Sequence, residues 1–573
     1  MHCKSITNLL TFFLLSLSAS GVFAQKTDPP FLQYLNHPWV DSVFNTLSPE
    51  ERIAQLIWID AYSNREIGHE VYISNVIKKT GAGGVIFFEG YTGRQTEMLN
   101  YFQSISRVPL IIAEDGEWGL GMRLAEVDKF PWQMTLGAIR NDSLIYRMGK
   151  AIAEQYRRAG VHINLAPVAD VNINPRNPVI NYRSFGEDPE NVTRKTLMYM
   201  KGLQDNGIIV MPGHLNIPSL DSVPGLPSTL SYPILTREGA GLMSLKAGMD
   251  VLEYVEDPEQ TLKEIVAGIR AGSISQQVID EKCRRVLAAK YWAGLSRMQY
   301  VSEVNLHEDL SPVSSKALIR ELYANALTLL KNEDNIIPLR SLDKVKIATV
   351  AVNRKTTTLF QYRILKYQPA DIFFIDPADQ NAAMDLLDKL SAYDVVIAGI
   401  YGTDQRPQSG YGIKTEMTEF IRKLIDNNRT IVTWFGNPYA LDMIISLREA
   451  DGLVLAYQEN EFTEDLSAQL IFGGIGARGS LPVTINEKWP YNFGLITPEN
   501  IRMQYGFPEN AGMSSVKLER KIDSIVNIGL AAKAFPGCEV AVARKGMVVF
   551  SKTYGYQNYD NRISVHEDDL FDL

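Results

Sequence analysis

Cysteine is nearly absent from this chain: Cys3, Cys283 and Cys538 are the only three in 573 residues. Cys283 and Cys538 fall in segments assigned below to different domains, so no disulfide framework is implied. Positive charge is also in short supply. A net charge of -9 and a pI near 5.5 argue against a nucleic-acid or anionic-membrane partner, because phosphate binding is driven by clustered Lys and Arg. Long apolar runs are missing beyond the first residues, so no membrane span is expected. The glycines of FGGIGARGSLP lack the strand-to-helix context and Lys-Ser/Thr ending of a phosphate loop and read as a structural turn. No metal and no cofactor are called for.

What is present is a folding composition, with 45% hydrophobic, 21% charged and 10% aromatic residues. Such a length needs about three or four domains. The chain opens with a lysine, an apolar run from Leu9 to Leu17 and small residues ending at Val22-Phe23-Ala24. This is the pattern of a secretory signal peptide over residues 1–24, which implies a secreted or periplasmic protein.

From Pro38 to Leu295 short apolar strands alternate with amphipathic helices. The strand candidates are IAQLIWIDA near residue 53, GVIFFEG, PLIIAED, HINLAPVAD, GIIVMPGH and MDVLEYVED. Helices fit between them, as in ENVTRKTLMYMKGLQDNG, with Asp188 and Pro189 as cap and first-turn residues. The predicted fold class is therefore α/β, beginning with a (β/α)8 barrel over 25–300 that is incomplete. About six strands are found where eight are wanted, and the shortfall lies between Gly207 and Glu253. After a linker, a helix is read through ALIRELYANALTLLKNEDNIIPL. Five strands from Lys344 to Trp489 then predict a doubly wound sheet in an α/β sandwich over 301–510. A helix and a hairpin turning at Lys545-Gly546 predict an α+β fragment of a domain over 515–573.

Glu114 and Asp115 end an apolar strand and precede Gly116-Glu117-Trp118. A carboxylate there can accept sugar hydroxyls and a neighbouring indole can stack on a pyranose face; the alternative is a solvated strand end with Trp118 in the core. The irregular stretch PVADVNINPRNPVINYRSFGEDPE places Arg183 for a glycan hydroxyl or carbonyl, or for a structural salt bridge. Asp170 reads as an internal hydrogen-bond anchor and His162 as a core histidine.

The segments AEDGEWGLGMRL, LAPVADVN, NYRSFGEDPE, HLNIPSLD, LPSTLS and KAGMDVLEYVED resemble the catalytic barrel of glycoside hydrolase family 3, in its β-N-acetylglucosaminidase branch. TLLKNEDNIIPL and FGNPYAL resemble that family's C-terminal sandwich. KAFPGCEVAVARKGMVVFSKTYGY resembles the opening of a fused β-lactamase-like serine hydrolase domain. The resemblance implies a β-N-acetylhexosaminidase removing terminal N-acetylglucosamine from peptidoglycan or chitin-type fragments by a retaining mechanism. It implies an N-acetylated oligosaccharide or glycan as partner, with Asp115 and Arg183, beside Trp118, at the non-reducing sugar.

The departures bear on catalysis. The family's Lys-His-Phe-Pro-Gly-His run and its Asp-Ser-His loop are not found, so no catalytic residue is assigned and His214 is kept only as a candidate. The family's nucleophile motif is also missing, and no Asp stands between Asp221 and Asp250. A catalytically inactive glycan-binding or remnant protein is therefore the alternative expectation.

Overall fold

The computed structural model describes residues 29–213, 239–560 and 563–571. The signal-peptide reading and His214 lie outside the described residues. No helix among the described residues is long and apolar enough to cross a membrane.

The first sheet is a row of parallel strands in chain order: β1 (Trp58–Ala61), β2 (Gly84–Phe87), β3 (Ile111–Glu114), β4 (Ile163–Asn164) and β5 (Ile209–Val210). A sixth position is occupied by residues 251–253. Leu252 donates its N–H to Leu56 O at 2.7 Å and accepts from Trp58 N at 2.9 Å, extending the row beyond the free edge of β1. The two ends of the row are therefore β5 and Leu252. The chain between them includes residues 214–238, outside the described residues, where the shortfall of the incomplete barrel was read from the sequence, so closure is not traced among the described residues. The strands are mostly apolar, apart from Asp60, Glu114 and Asn164, because both faces are covered; β2 and β3 are buried at every residue.

Two helices behind β4 and β5 show how this packing is enforced. Ser143–Arg158 crosses Pro189–Gln204 at Gly149 and Gly202. A Cβ on Gly149 would meet Tyr199 O at 2.5 Å, and one on Gly202 would meet Tyr146 O at 2.3 Å, so the helices touch backbone to backbone. Asp188 caps the second helix as expected, accepting from Asn191 N at 2.8 Å.

The second sheet has six strands rather than the five read from the sequence. They are β6 (Thr328–Asn332), β7 (Ile347–Val352), β8 (Asp371–Ile375), β9 (Val395–Ile400), β10 (Thr430–Trp434) and β11 (Gly452–Leu455), in the order β6-β11-β10-β9-β7-β8. The addition is β6, antiparallel to β11, where one long helix was expected. That helix stops at Ala326; extended Leu327 follows, and TLLKN satisfies its backbone along the edge of β11 instead. Tertiary pairing has overridden the helical pattern of the preceding residues. One apolar cluster runs from Phe31 to Trp489 and joins both sheets.

The third sheet, ordered β12-β14-β13, comprises β12 (Gln504–Tyr505), β13 (Gly537–Arg544) and β14 (Met547–Gly555). The hairpin turns at Lys545-Gly546, both at positive φ, as expected of a two-residue turn. Its separate buried cluster is small: Ala511, Met547 and Val549. The helix Ser515–Ala531 in front of it buries only Val526 and leaves Ile525 71% and Ile528 67% exposed.

Candidate functional site

The C-terminal ends of the parallel strands in the first sheet carry the ionisable groups. The turn after β3 is held rigidly: Asn164, at the end of β4, accepts from Gly116 N at 3.0 Å, and Tyr199 OH donates to Gly116 O at 2.5 Å. Tyr156 OH donates to Glu114 O at 3.1 Å. Gly116 is required there, because a Cβ would lie 2.0 Å from Tyr156 OH.

Four carboxyl groups sit around this turn. Asp115 is held by the Arg123 guanidinium, which lies over the Phe88 ring at 4.8 Å. Glu117 accepts from Arg183 Nε at 2.9 Å and Nη2 at 2.5 Å, both at Oε1, while its Oε2 is buried with no hydrogen-bond partner among the described residues. Burial pushes the Glu117 carboxyl upward against the opposing pull of Arg183. Glu114 is completely buried, accepts from Gln95 Nε2 at 2.9 Å, and is pushed up to about 8 by burial. Glu253, on the segment beside β1, is pushed up to about 8 by burial and then by the Asp115 charge. Burial thus disfavours the charged forms of Glu114 and Glu253, which lie beside the Asp115–Arg123 and Glu117–Arg183 pairs.

The 165–190 loop forms one wall. Asn177 Oδ1 accepts from Val179 N and Ile180 N, Asn181 Nδ2 donates to Pro175 O, and Ser184 OH donates to Asp170 O at 2.6 Å. The second sheet's strand ends close over it. Asn437 Nδ2 donates to Asn181 Oδ1 at 2.7 Å, and Gln458 accepts from Trp132 N at 2.9 Å and Thr135 Oγ1 at 2.8 Å. Trp118, Trp132 and Tyr182 form a chain of half-buried rings along this wall, with centroids 6.2 and 4.8 Å apart.

The residues named from sequence thus fall close together, with two additions. The local charge partners of Asp115 and Arg183 are Arg123 and Glu117, so the salt-bridge alternative for Arg183 is realised. Glu253 had no signal in the strand pattern apart from being a charge inside an apolar run. His162 lies elsewhere, near the start of β4. Its Nδ1 accepts from Ile112 N at 3.1 Å, and burial pushes it down to about 4, as befits a core histidine. Among the described residues no cluster of His, Cys, Asp and Glu is arranged to hold a metal ion.

Fold and site together define an α/β protein with an aromatic-walled site of paired carboxyl and guanidinium groups at the ends of parallel strands. Residues 48–215 match the glycosyl hydrolase family 3 N-terminal domain. A β-N-acetylglucosaminidase/β-glucosidase of Cellulomonas fimi is 22% identical over 52% of this chain and 68% of its own length. The β-hexosaminidase A of Pseudoalteromonas piscicida is 33% identical over 42% of this chain and 45% of its own length. The solved family 3 β-N-acetylglucosaminidase of Paenibacillus sp. FPU-7 shares the fold, with a TM-score of 0.57 and 18% identity over 77% of this chain and 99% of its own. Glycoside hydrolase family 3 is the family these matches support.

Proposed function

We propose that this protein recognises the non-reducing terminal sugar of a β-linked glycan, with N-acetylglucosamine as the preferred unit. The observation that carries the reading is the convergence of the Asp115–Arg123 and Glu117–Arg183 pairs beside Trp118, Trp132 and Tyr182. Carboxylates and guanidinium groups fixed in this way accept from and donate to hydroxyls without reorganising. The rings offer apolar faces to a pyranose, and the paired polar groups suit a polyol. Asp115 and Arg183 are assigned to the sugar and Trp118 to its face, in a barrel formed by the first row of strands. Export to the periplasm or outside the cell fits peptidoglycan or chitin-type fragments as the source of that sugar.

Hydrolysis with retention is the activity this family resemblance carries, and it needs a carboxylate nucleophile and a proton donor. Binding without turnover is favoured here by the stretch from Asp221 to Asp250, which has no intervening Asp to match the family nucleophile. Incubation with nitrophenyl N-acetyl-β-glucosaminide and nitrophenyl β-glucoside separates the two readings. Negligible chromophore release is expected from both, together with saturable N-acetylglucosamine binding seen by NMR. Robust release abolished by a single substitution would establish the hydrolase, and absence of any sugar binding would overturn the assignment of the site.

A further inference from the structure

Glu253 is a carboxyl placed where an apolar residue would suffice. Leu252 pairs in parallel with Ile57, so the segment carrying Glu253 lies alongside β1 and runs toward the strand ends where Tyr254 packs. The following residue fixes its position. Tyr254 turns at a φ of +55°, a backbone conformation uncommon for a bulky side chain. Its ring packs on Phe88 with centroids 5.5 Å apart, Phe88 carries the Arg123 guanidinium, and Arg123 holds Asp115. This succession returns from Glu253 to the proposed sugar site, and Asp115 is the charge that acts on Glu253.

Glu253 also differs from its neighbours in what holds it. Asp115 has Arg123, Glu117 has Arg183 and Glu114 has Gln95. Glu253 is 5% exposed, and its Oε2 is buried with no hydrogen-bond partner among the described residues. A buried carboxyl oxygen left without a partner is costly, and such groups persist mainly where a ligand or a reaction uses them.

We propose that Glu253 is a sugar-contacting residue of the strand-end site, its carboxyl pairing with a pyranose hydroxyl and so setting specificity for a hydroxyl-rich ring. The proposal rests on the functional reading given above. As a neutral carboxyl, the form that burial favours at neutral pH, it offers one donor and one acceptor to such a hydroxyl. It complements Asp115, which is already held by the Arg123 guanidinium.

The test uses the full chain with N-acetylglucosamine as probe, followed by NMR titration and by thermal unfolding of Glu253→Leu and Glu253→Gln. The leucine variant should bind at least about tenfold more weakly while melting at a higher temperature, because an unpaired buried carboxyl has been removed. The glutamine variant, which keeps a donor and an acceptor, should stay within about threefold of the unaltered chain. A leucine variant that binds as well as the unaltered chain would overturn the proposal and leave the site assignment standing. Failure of the unaltered chain to bind would overturn the site assignment itself. A second measurement is independent of whether the leucine variant folds. With 13C-labelled glutamate carboxyls, the Glu253 resonance, identified by its loss in Glu253→Gln, should shift on sugar addition; an unmoved resonance at saturation would also overturn the proposal.

Discussion

The first sheet, wholly parallel, and the second, parallel but for β6, are made of similar strands but resolve their edges differently. In the second sheet β7 and β9 pair over six residues, and the row continues without a break from β6 to β8. In the first, β4 and β5 are two residues each, and Leu252 joins through a single bridge. The buried polar atoms left without partners differ accordingly. Among the described residues the second sheet holds Thr349 Oγ1 and Thr433 Oγ1, whereas the first and its flanking turns hold Trp58 Nε1 and carboxyl oxygens of Glu114, Glu117 and Glu253. A carboxyl is much the costlier group to bury, so the first sheet stores unfavourable free energy at its strand ends while the second is organised for stability.

Among the largest effects that sharpen this contrast is that of Glu117→Ala. It removes the carboxyl that accepts twice from Arg183, whose side chain is 21% exposed, and should destabilise the fold by about 2–4 kcal/mol in urea unfolding. A change below about 1 kcal/mol would place the pair with ordinary surface bridges. Comparable in size, Ile397→Ala in β9, fully buried, is expected to cost about 3–4 kcal/mol, and Ile209→Ala in short β5 less, within the usual range for such truncations. Equal costs would break the contrast between the sheets.

The pH dependence of stability gives a third measure. Glu253 rises from an ordinary value of 4.5 to about 8 in the fold. Its contribution is therefore fully present below pH 4.5 and is lost as pH rises toward 8, with a slope of about 1 kcal/mol per pH unit. Glu114 acts in the same direction over the same window. His162, lowered from 6.5 to about 4, acts oppositely as pH falls through that range, and Lys290, lowered from 10.5 to about 7, acts oppositely above pH 7. The difference between the unaltered chain and Glu253→Gln isolates one group, with Asp115 as the neighbouring charge and Arg123, Glu114 and Tyr254 adjoining it. The variant should show the flatter profile from pH 5 to 8, and identical profiles would remove Glu253 from the account.

Sugar binding is a smaller term. Asp115→Ala should weaken N-acetylglucosamine binding, expected in the millimolar range, by about tenfold, or 1.4 kcal/mol, in an NMR titration. Affinity indifferent to Asp115 would show that the sugar lies elsewhere. The smallest effect is expected in the third sheet's helix, where exposed Ile528→Ser should stay within about 0.5 kcal/mol. A large loss there would mean that this helix face is covered in solution.

The strands from β1 to β3 were legible because short apolar runs bounded by turns and interleaved with amphipathic helices admit few other arrangements. Asp115 and Trp118 could be placed after a strand on the same grounds, whereas Arg183 was placed with them by its long irregular loop and the family resemblance. The strand β6 was not, since Thr328–Asn332 continues an apolar pattern that fits a helix until the edge of β11 is there to receive it. Nor were the pairings of Asp115 with Arg123 and Glu117 with Arg183, because a charge in sequence does not reveal which opposite charge will share its burial. Glu253 lies far along the chain from Asp115 and comes into its field only when Leu252 docks against β1. Local patterning by itself determined the α/β elements and the chemistry available at their ends. Only tertiary structure decided which carboxyls are paired and which are left buried without a partner, because desolvation depends on what the folded chain brings around each group.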